Sequence, residues 1–414
     1  MKIAFLTLGC KLNYAETSTY ERGFIEAGFE VVKWNEKADV YLVNTCSVTS
    51  VADSKSRNLV RKVHRVNPEA KVVVTGCSAQ LRRAEIEGIE GVTKVFGASE
   101  KHLVVPETLS LCGLGAEVGK DCGGVFGAYS TGERTRSFLK VQDGCNNFCA
   151  YCTVPYARGE SRNIPICECV RGAREIAATG VKEIVLTGVN TGDFGRTTGE
   201  SFLDLLKALE EVDGIERYRI SSIEPNLLTD EIIDWTASGT KFQPHFHIPL
   251  QAGCDTLLKS MGRHYDTAFF KARIERIRAA FEAPGKPKVF FGIDLMAGLP
   301  GETEELFGQG LDFLKEISPA FIHVFPYSRR PGTPAAEMPG QVEESEKKRR
   351  VAVLEKLCGE LHSAFVESNR GVRERVLFES ADHAGMMEGY TGNYIRVSRP
   401  YDASLAGEIV EVML

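Results

Sequence analysis

The chain has 414 residues, 43% of them hydrophobic, enough for a sizeable core and more than one ordinary domain can use, so about two or three units are expected. A net charge of −6 excludes the bulk basic field of a general nucleic-acid binder, and any such contact must come from local patches. With no run of 18 apolar residues and no signal peptide, the expectation is a cytoplasmic protein without a membrane partner, in which 12 cysteines point to metal binding or catalysis rather than disulfides.

Apolar strands are predicted at 2–8, 40–43 and 72–75, and helices at 14–27, 51–66 and 79–87, an alternation that predicts a parallel α/β sheet. Each strand runs into a cysteine, through Gly9-Cys10, Asn44-Thr45-Cys46 and Gly76-Cys77. Ligands gather at the carboxyl ends of such strands, so three cysteines far apart in sequence converge on one edge. One of them alone reads best as a small residue in a tight turn. Three at matching positions read better as cluster ligands. A Gly-rich stretch at 112–132, holding Cys112 and Cys122, reads as a linker.

Beyond the linker, a strand at 137–142 leads into Gly144-Cys-Asn-Asn-Phe-Cys-Ala-Tyr-Cys152, a C-x3-C-x2-C loop. Three thiolates on one loop can hold three irons of a [4Fe–4S] cube and leave the fourth open to chelate a small molecule and pass it an electron. Structural zinc usually takes four protein ligands, and no fourth Cys or His lies nearby in the sequence, so the spacing favours the open cluster over zinc. Further strands at 182–187, 217–222, 244–249, 288–294 and 320–325 alternate with amphipathic helices. Six βα units predict an open, partial barrel with functional residues at the strands' carboxyl ends. Those ends carry Thr187-Gly-Val-Asn190, Ser221-Ser-Ile-Glu224, Pro249-Leu-Gln251, Asp294 to Gly301 and His323 to Thr333; Gly and Pro punctuation of loops is a competing explanation for each taken singly. Arg158 and Arg162 read equally as ligands for a carboxylate or phosphate near the loop and as surface salt bridges. Cys167, Cys169, Cys254 and Cys358 read as structural.

Residues 341–368 form a charged amphipathic pattern, followed by strands at 373–379, 392–398 and 406–412, which predict a short all-β tail of a kind often used on nucleic acid. In it, Tyr390 and Tyr394 suit either stacking on bases or packing in a core. Basic clusters occur at Lys55, Arg57, Arg61, Lys62 and Arg65 and at Lys347–Arg350. Such runs are usually solvated helix faces, but the first follows the Cys46 strand end and is suited to guide an RNA backbone.

The segments Leu8-Gly-Cys-Lys-Leu-Asn13, Asn44-Thr-Cys-Ser-Val-Thr49 and Gly76-Cys-Ser-Ala-Gln80 resemble the N-terminal signatures of the radical S-adenosylmethionine (SAM) methylthiotransferases. Residues Phe138 to Gly159 resemble their radical loop, and Gly389-Tyr-Thr-Gly-Asn-Tyr394 their TRAM tail, so the resemblance covers essentially the whole chain. It implies an α/β fold with an N-terminal parallel-sheet domain at 1–111, a linker at 112–133, a partial (βα)6 radical SAM barrel at 134–368 and an all-β TRAM-like domain at 369–414. It also implies two [4Fe–4S] clusters, one on Cys145, Cys149 and Cys152 and an auxiliary one on Cys10, Cys46 and Cys77. SAM would then lie with Tyr151 beside its adenine, and Gly188, Asn190, Glu224 and Gln251 would line the SAM and substrate cavity. Family members methylthiolate a tRNA adenosine beside the anticodon or an aspartate of a ribosomal protein. The segments Cys46-Ser-Val-Thr-Ser-Val-Ala52, Tyr156 to Arg162 and His323 to Thr333 resemble the branch acting on N6-threonylcarbamoyladenosine. The implied partners are tRNA, an electron donor such as flavodoxin or ferredoxin, and a sulfur donor. The alternatives are isopentenyladenosine in tRNA, a ribosomal aspartate, and a non-catalytic iron–sulfur RNA-binding protein.

Overall fold

The computed structural model describes residues 1–115, 125–132 and 135–414; Cys122 lies outside them. The N-terminal sheet has five parallel strands, β1 (Lys2–Thr7), β2 (Glu30–Val31), β3 (Val40–Thr45), β4 (Lys71–Gly76) and β5 (Val92–Val95), in the order β2-β1-β3-β4-β5. Central β3 is buried along its whole length, because alternate residues serve two cores. Val40 and Leu42 pack with Tyr20 and Phe24 of helix Lys11–Glu26, while Tyr41 and Val43 pack with Val60 and Val63 of helix Ser50–Val66. Edge strands β2 and β5 were not expected, since two and four residues with charges among them carry little apolar pattern. The helix predicted at 79–87 is two short helices, Cys77–Leu81 and Arg83–Glu87, interrupted at Arg82 with φ −132° and ψ 39°.

Eight more strands build the barrel region: β6 (Arg136–Lys140), β7 (Gln142–Asp143), β8 (Arg162–Asn163), β9 (Glu183–Thr187), β10 (Arg217–Ile220), β11 (Phe242–Gln251), β12 (Phe290–Ala297) and β13 (Phe321–Pro326). Six of them form an open parallel sheet in the order β13-β12-β11-β10-β9-β6, as the (βα)6 reading expects. The strand predicted at 137–142 divides, and its end becomes β7, which pairs antiparallel with β8 across the cysteine loop. Strand β12 runs on to Ala297, so Asp294 lies within the strand, opposite His323 of β13, and not at a strand end. Residues 125–132 are less free than a linker. The Ser130 amide bonds the Phe138 carbonyl and the Lys140 amide bonds that of Ala128, both at 2.9 Å, and Phe126 stacks on Tyr20.

The tail is an antiparallel sheet of β14 (Arg373–Phe378), β15 (Met386–Thr391), β16 (Arg396–Pro400) and β17 (Ile409–Met413), in the order β16-β15-β14-β17. The strand predicted at 392–398 is in part a turn. Asn393 bonds the Lys288 carbonyl and Asn369 Oδ1, each at 2.9 Å, which pulls the chain out of the ladder, and Tyr394 takes φ +66°. Buried arginines of β10 staple this sheet to the barrel. Arg217 donates to the Tyr390 carbonyl at 3.1 Å, and Arg219 to those of Gly392 (2.6 Å) and Thr391 (2.8 Å).

Where the N-terminal sheet meets the barrel, five buried ionic side chains form one network. Glu16 Oε1 takes Lys101 Nζ at 2.7 Å, Lys140 Nζ at 2.8 Å and Arg158 Nη1 at 3.2 Å. Asp143 takes Lys140 at 2.7 Å and Arg158 at 2.8 Å. Burial favours the neutral carboxyls, but Lys101, Lys140 and Arg158 outweigh it and hold both acids below the ordinary carboxylate range. Their contribution to stability is therefore complete above the ordinary values and is lost as the pH falls through the lowered ones. Glu16→Gln should destabilise the protein by about 3–5 kcal/mol at pH 7, because it leaves buried cations short of a partner. In urea unfolding the gap between wild type and variant should shrink as the pH drops below about 4; a constant gap would show that the Glu16 charge is not what stabilises the junction.

Candidate active site

Cys46 and Cys77 directly follow β3 and β4, and Cys10 follows β1 after Leu8 and Gly9; the three strands are neighbours in the sheet, so the cysteines emerge along one edge. Cys10 is the N-cap of helix Lys11–Glu26. Gly9 has φ +104°, and a Cβ there would stand 2.7 Å from Cys46 Sγ, so glycine is what lets these two cysteine segments touch. Burial pushes the Cys46 thiol up to about 11, and the adjacent Cys77 and Cys10 add to the rise. Burial also raises Cys77, opposed by Arg158. The guanidinium of Arg158 feels both Cys77 and Cys10, and the junction network holds three cations against two carboxylates. Its excess positive charge thus stands beside thiols that become thiolates when they bind iron.

The loop of Cys145, Cys149 and Cys152 starts at Gly144, where φ is +74° and a Cβ would meet the Glu160 carbonyl at 1.9 Å. Amides of Asn147 and Val154 point at Cys145 Sγ (3.5 Å) and Cys152 Sγ (3.4 Å), and Arg263 Nη1 donates to Cys149 Sγ at 3.1 Å. Hydrogen bonds of Ala150 to the Met261 carbonyl (3.0 Å) and to the Ala335 amide (2.8 Å) fasten the loop to the barrel. Burial raises Cys145 to about 11 and Cys152 to about 12. All six cysteines are free, and in neither triad do the three sulfurs all lie within 4.8 Å of one another. A tetrahedral zinc ion would hold its sulfurs about 3.8 Å apart, given Zn–S bonds near 2.3 Å. Neither triad is drawn in to the spacing of a single zinc ion.

Four of the five residues expected around SAM surround this loop through shared bonds. The Val189 and Asn190 amides donate to Gln142 Oε1 (2.9 and 3.0 Å), and that amide oxygen would lie 2.9 Å from a Cβ on Gly188. Asn190 Oδ1 accepts the Glu224 amide at 3.3 Å. Glu224 is ion-paired with Arg263, which also reaches Tyr151 Oη at 3.4 Å and Tyr265 Oη at 2.8 Å. Gln251 stands apart, at φ +71° after the irregular register that ends β11. Sequence reasoning missed Arg263 and Gln142. Arg263 sits in an unremarked Met-Gly-Arg-His-Tyr turn, and only packing brings it to the cysteines. Gln142 lay in the predicted strand, and its place immediately before Asp143-Gly144-Cys145 was the available signal.

A chamber of about 1080 Å³ opens between Cys10 and the barrel interior, with Lys11, His247, His323, Tyr390 and Tyr394 in its wall. His247 Nε2 and Asp294 Oδ1 are hydrogen-bonded at 2.8 Å, beside the His323 ring. Tyr390 and Tyr394 pack on each other at 4.9 Å, with Arg136 over both rings, and close the seam between tail and barrel. Lys347 and Arg350 are buried, and Arg350 pairs with Glu302 and Glu346 at 2.7 Å, so half of this basic cluster is internal, while Lys348 and Arg349 are exposed. Lys55, Arg61 and Arg65 are exposed on helix Ser50–Val66. Arg158 proves to be a junction residue, and Arg162 bonds the carbonyls of Arg158 (2.8 Å) and Glu160 (3.1 Å). Cys169, Cys254 and Cys358 are core residues, while Cys167 is exposed.

Residues 2–97 match the Uncharacterized protein family UPF0004, and residues 139–314 match the Radical SAM superfamily. Threonylcarbamoyladenosine tRNA methylthiotransferase MtaB of Bacillus subtilis is 38% identical over 100% of this chain and 93% of its own length; MtaB of Aquifex aeolicus is 35% identical over 100% of each. The chain belongs to the radical SAM methylthiotransferase family. The tRNA-2-methylthio-N(6)-dimethylallyladenosine synthase of Carboxydothermus hydrogenoformans is 31% identical over 99% of the chain and 95% of its own length. The radical SAM methyltransferase TsrM of Kitasatospora setae, solved with cobalamin and a [4Fe–4S] cluster, has the same fold at TM-score 0.59 and 14% identity, over 81% of this chain and 77% of its own.

For a methylthiotransferase built this way, Arg263 should matter through position. Arg263→Lys keeps the charge but loses the fork that spans Cys149, Tyr151 and Glu224. It should cut reductive SAM cleavage at least about tenfold, with iron content near wild type. Liquid chromatography of 5′-deoxyadenosine alongside an iron assay checks this, and undiminished cleavage would remove Arg263 from the site.

Proposed function

We propose that the chain is a tRNA methylthiotransferase that places sulfur and a methyl group at C2 of N6-threonylcarbamoyladenosine next to the anticodon, with SAM as radical source and methyl donor. The observation that carries this reading is the likeness along the whole chain to the MtaB enzymes, and it is supported by Cys10 of one triad opening on a chamber lined by the barrel strands. Bound clusters would supply, at Cys145, Cys149 and Cys152, the electron that splits SAM and, at Cys10, Cys46 and Cys77, an iron-held sulfur. Tyr151, Gly188, Asn190 and Glu224 would hold SAM beside the radical loop, with Arg263 fixing the orientation of Tyr151 and Glu224, and Gln251 would line the cavity from the end of β11. The exposed Lys55, Arg61 and Arg65 steer the RNA backbone toward the Cys46 edge, and the tail adds to the grip on tRNA. A flavodoxin- or ferredoxin-like electron donor and a sulfur donor complete the partners, in the cytoplasm. Among the described residues no helix is long and apolar enough to cross a membrane.

Replacing Cys145, Cys149 and Cys152 by Ala should leave about half the iron and abolish SAM cleavage. Replacing Cys10, Cys46 and Cys77 should also leave about half but spare the cleavage, while methylthiolation stops. Iron assays and nucleoside mass spectrometry separate the two, and methylthiolation by the second variant would rule out the auxiliary site. In a strain lacking the gene, digested tRNA should lose 2-methylthio-N6-threonylcarbamoyladenosine and regain it when the gene is restored. Loss of the methylthio form of isopentenyladenosine instead would assign the chain to the dimethylallyladenosine branch.

A further inference from the structure

Four cationic side chains line the chamber among the described residues: Lys11, Arg136, Arg219 and Arg396. Three are already engaged. Arg136 pairs with Glu379 and bonds Tyr394 Oη at 3.1 Å. Arg219 pairs with Glu183 at 2.7 Å and bonds two tail carbonyls. Arg396 pairs with Glu388 at 3.2 Å. Lys11 has no hydrogen-bond or ion-pair partner among the described residues, and its side chain is exposed into the chamber. The surrounding wall is rich in aromatic rings, among them Phe138, Phe290 and Phe321. Asp294 acts on Lys11 electrostatically without a salt bridge and is already engaged by His247 at 2.8 Å, and Glu379 in the chamber wall is spent on Arg136. An ammonium with no anion in salt-bridge contact in such a chamber is a site for an anionic part of the substrate.

We propose that Lys11 is the specificity residue that pairs with the threonyl carboxylate of N6-threonylcarbamoyladenosine, an inference that rests on the substrate reading above. This nucleoside differs from adenosine by a carbamoyl-linked threonine on N6, which brings one carboxylate; isopentenyladenosine brings only hydrocarbon there. On adenine, the N6 substituent and C2 flank N1 on the same edge of the ring. Lys11 directly follows Cys10, so a carboxylate held on its ammonium keeps that edge of the base beside the cysteine triad. A site built to pair a charge also rejects the analogue that lacks it, because the protein group is then left alone. Lys11 thus provides both placement and discrimination.

The test measures binding of the cluster-loaded enzyme, under anaerobic conditions, to three anticodon stem-loop RNAs. They differ only in the base beside the anticodon: adenosine, N6-threonylcarbamoyladenosine or N6-isopentenyladenosine. Lys11 opens its helix and bonds no protein group, so Lys11→Gln should fold and hold iron as the wild type does. It should weaken binding of the threonylcarbamoyl RNA by about ten- to a hundredfold, and of the other two by less than about twofold. Lys11→Arg, which keeps the charge, should recover most of the loss. If wild type prefers the threonylcarbamoyl RNA and Lys11→Gln keeps that preference, or weakens all three RNAs alike, the assignment of Lys11 is overturned while the substrate reading stands. A wild type with no preference for the threonylcarbamoyl RNA overturns the substrate reading and this inference with it.

Discussion

Glu16, Lys101, Lys140, Asp143 and Arg158 lock the N-terminal sheet to the barrel, and the rest of the site depends on that lock. Each member comes from a different local element, and in so buried a place each depends on the others to satisfy most of its charge. Such a network adds little net stability compared with an apolar seam. What it adds is register, since only one placement of the two units brings all five groups together. That placement sets the short helix after Cys77 against the helix that follows Cys152. A second tie, from Arg330 behind β13 to Ser47 at 2.8 Å and to Asp53, fixes the region beside Cys46 in the same way.

The chamber follows from this register. Its walls come from the edge of the first sheet, the interior of the open barrel and the tail, and no single unit encloses it. An open six-stranded sheet leaves one side unsealed, where a closed barrel would be filled by its own side chains. The tail covers the end at which the barrel strands start, through the arginines of β10 and the Tyr390–Tyr394 pair, which packs on Arg136 and Phe290 at the starts of β6 and β12. The tail is therefore part of the chamber wall as well as a surface for RNA.

Most elements were legible because buried parallel strands are written in apolar runs, and β1, β3, β4 and the six barrel strands lie close to where those runs predict them. Misses came where the pattern is weak or local structure is overridden from a distance. Strands β2 and β5 are short and charged, Arg82 interrupts a helix, and Asn393 is drawn from its ladder by Lys288 and Asn369. The stretch at 125–132 reads as a linker by composition but adds backbone bonds beside β6.

The sequence by itself determined the chemistry: six cysteines at diagnostic places, glycines where backbone must approach sulfur, and the strand–helix alternation that sends those cysteines to strand ends. These are local properties of type and spacing, and a single chain carries them openly. Only the tertiary structure decided that Arg158 belongs to the junction, that Arg263 binds Cys149 to Tyr151 and Glu224, and that Lys11 stands without a partner beside Cys10. Whether a charge is spent or free depends on groups a hundred or more residues away. That balance exists only once the three units have closed around one space.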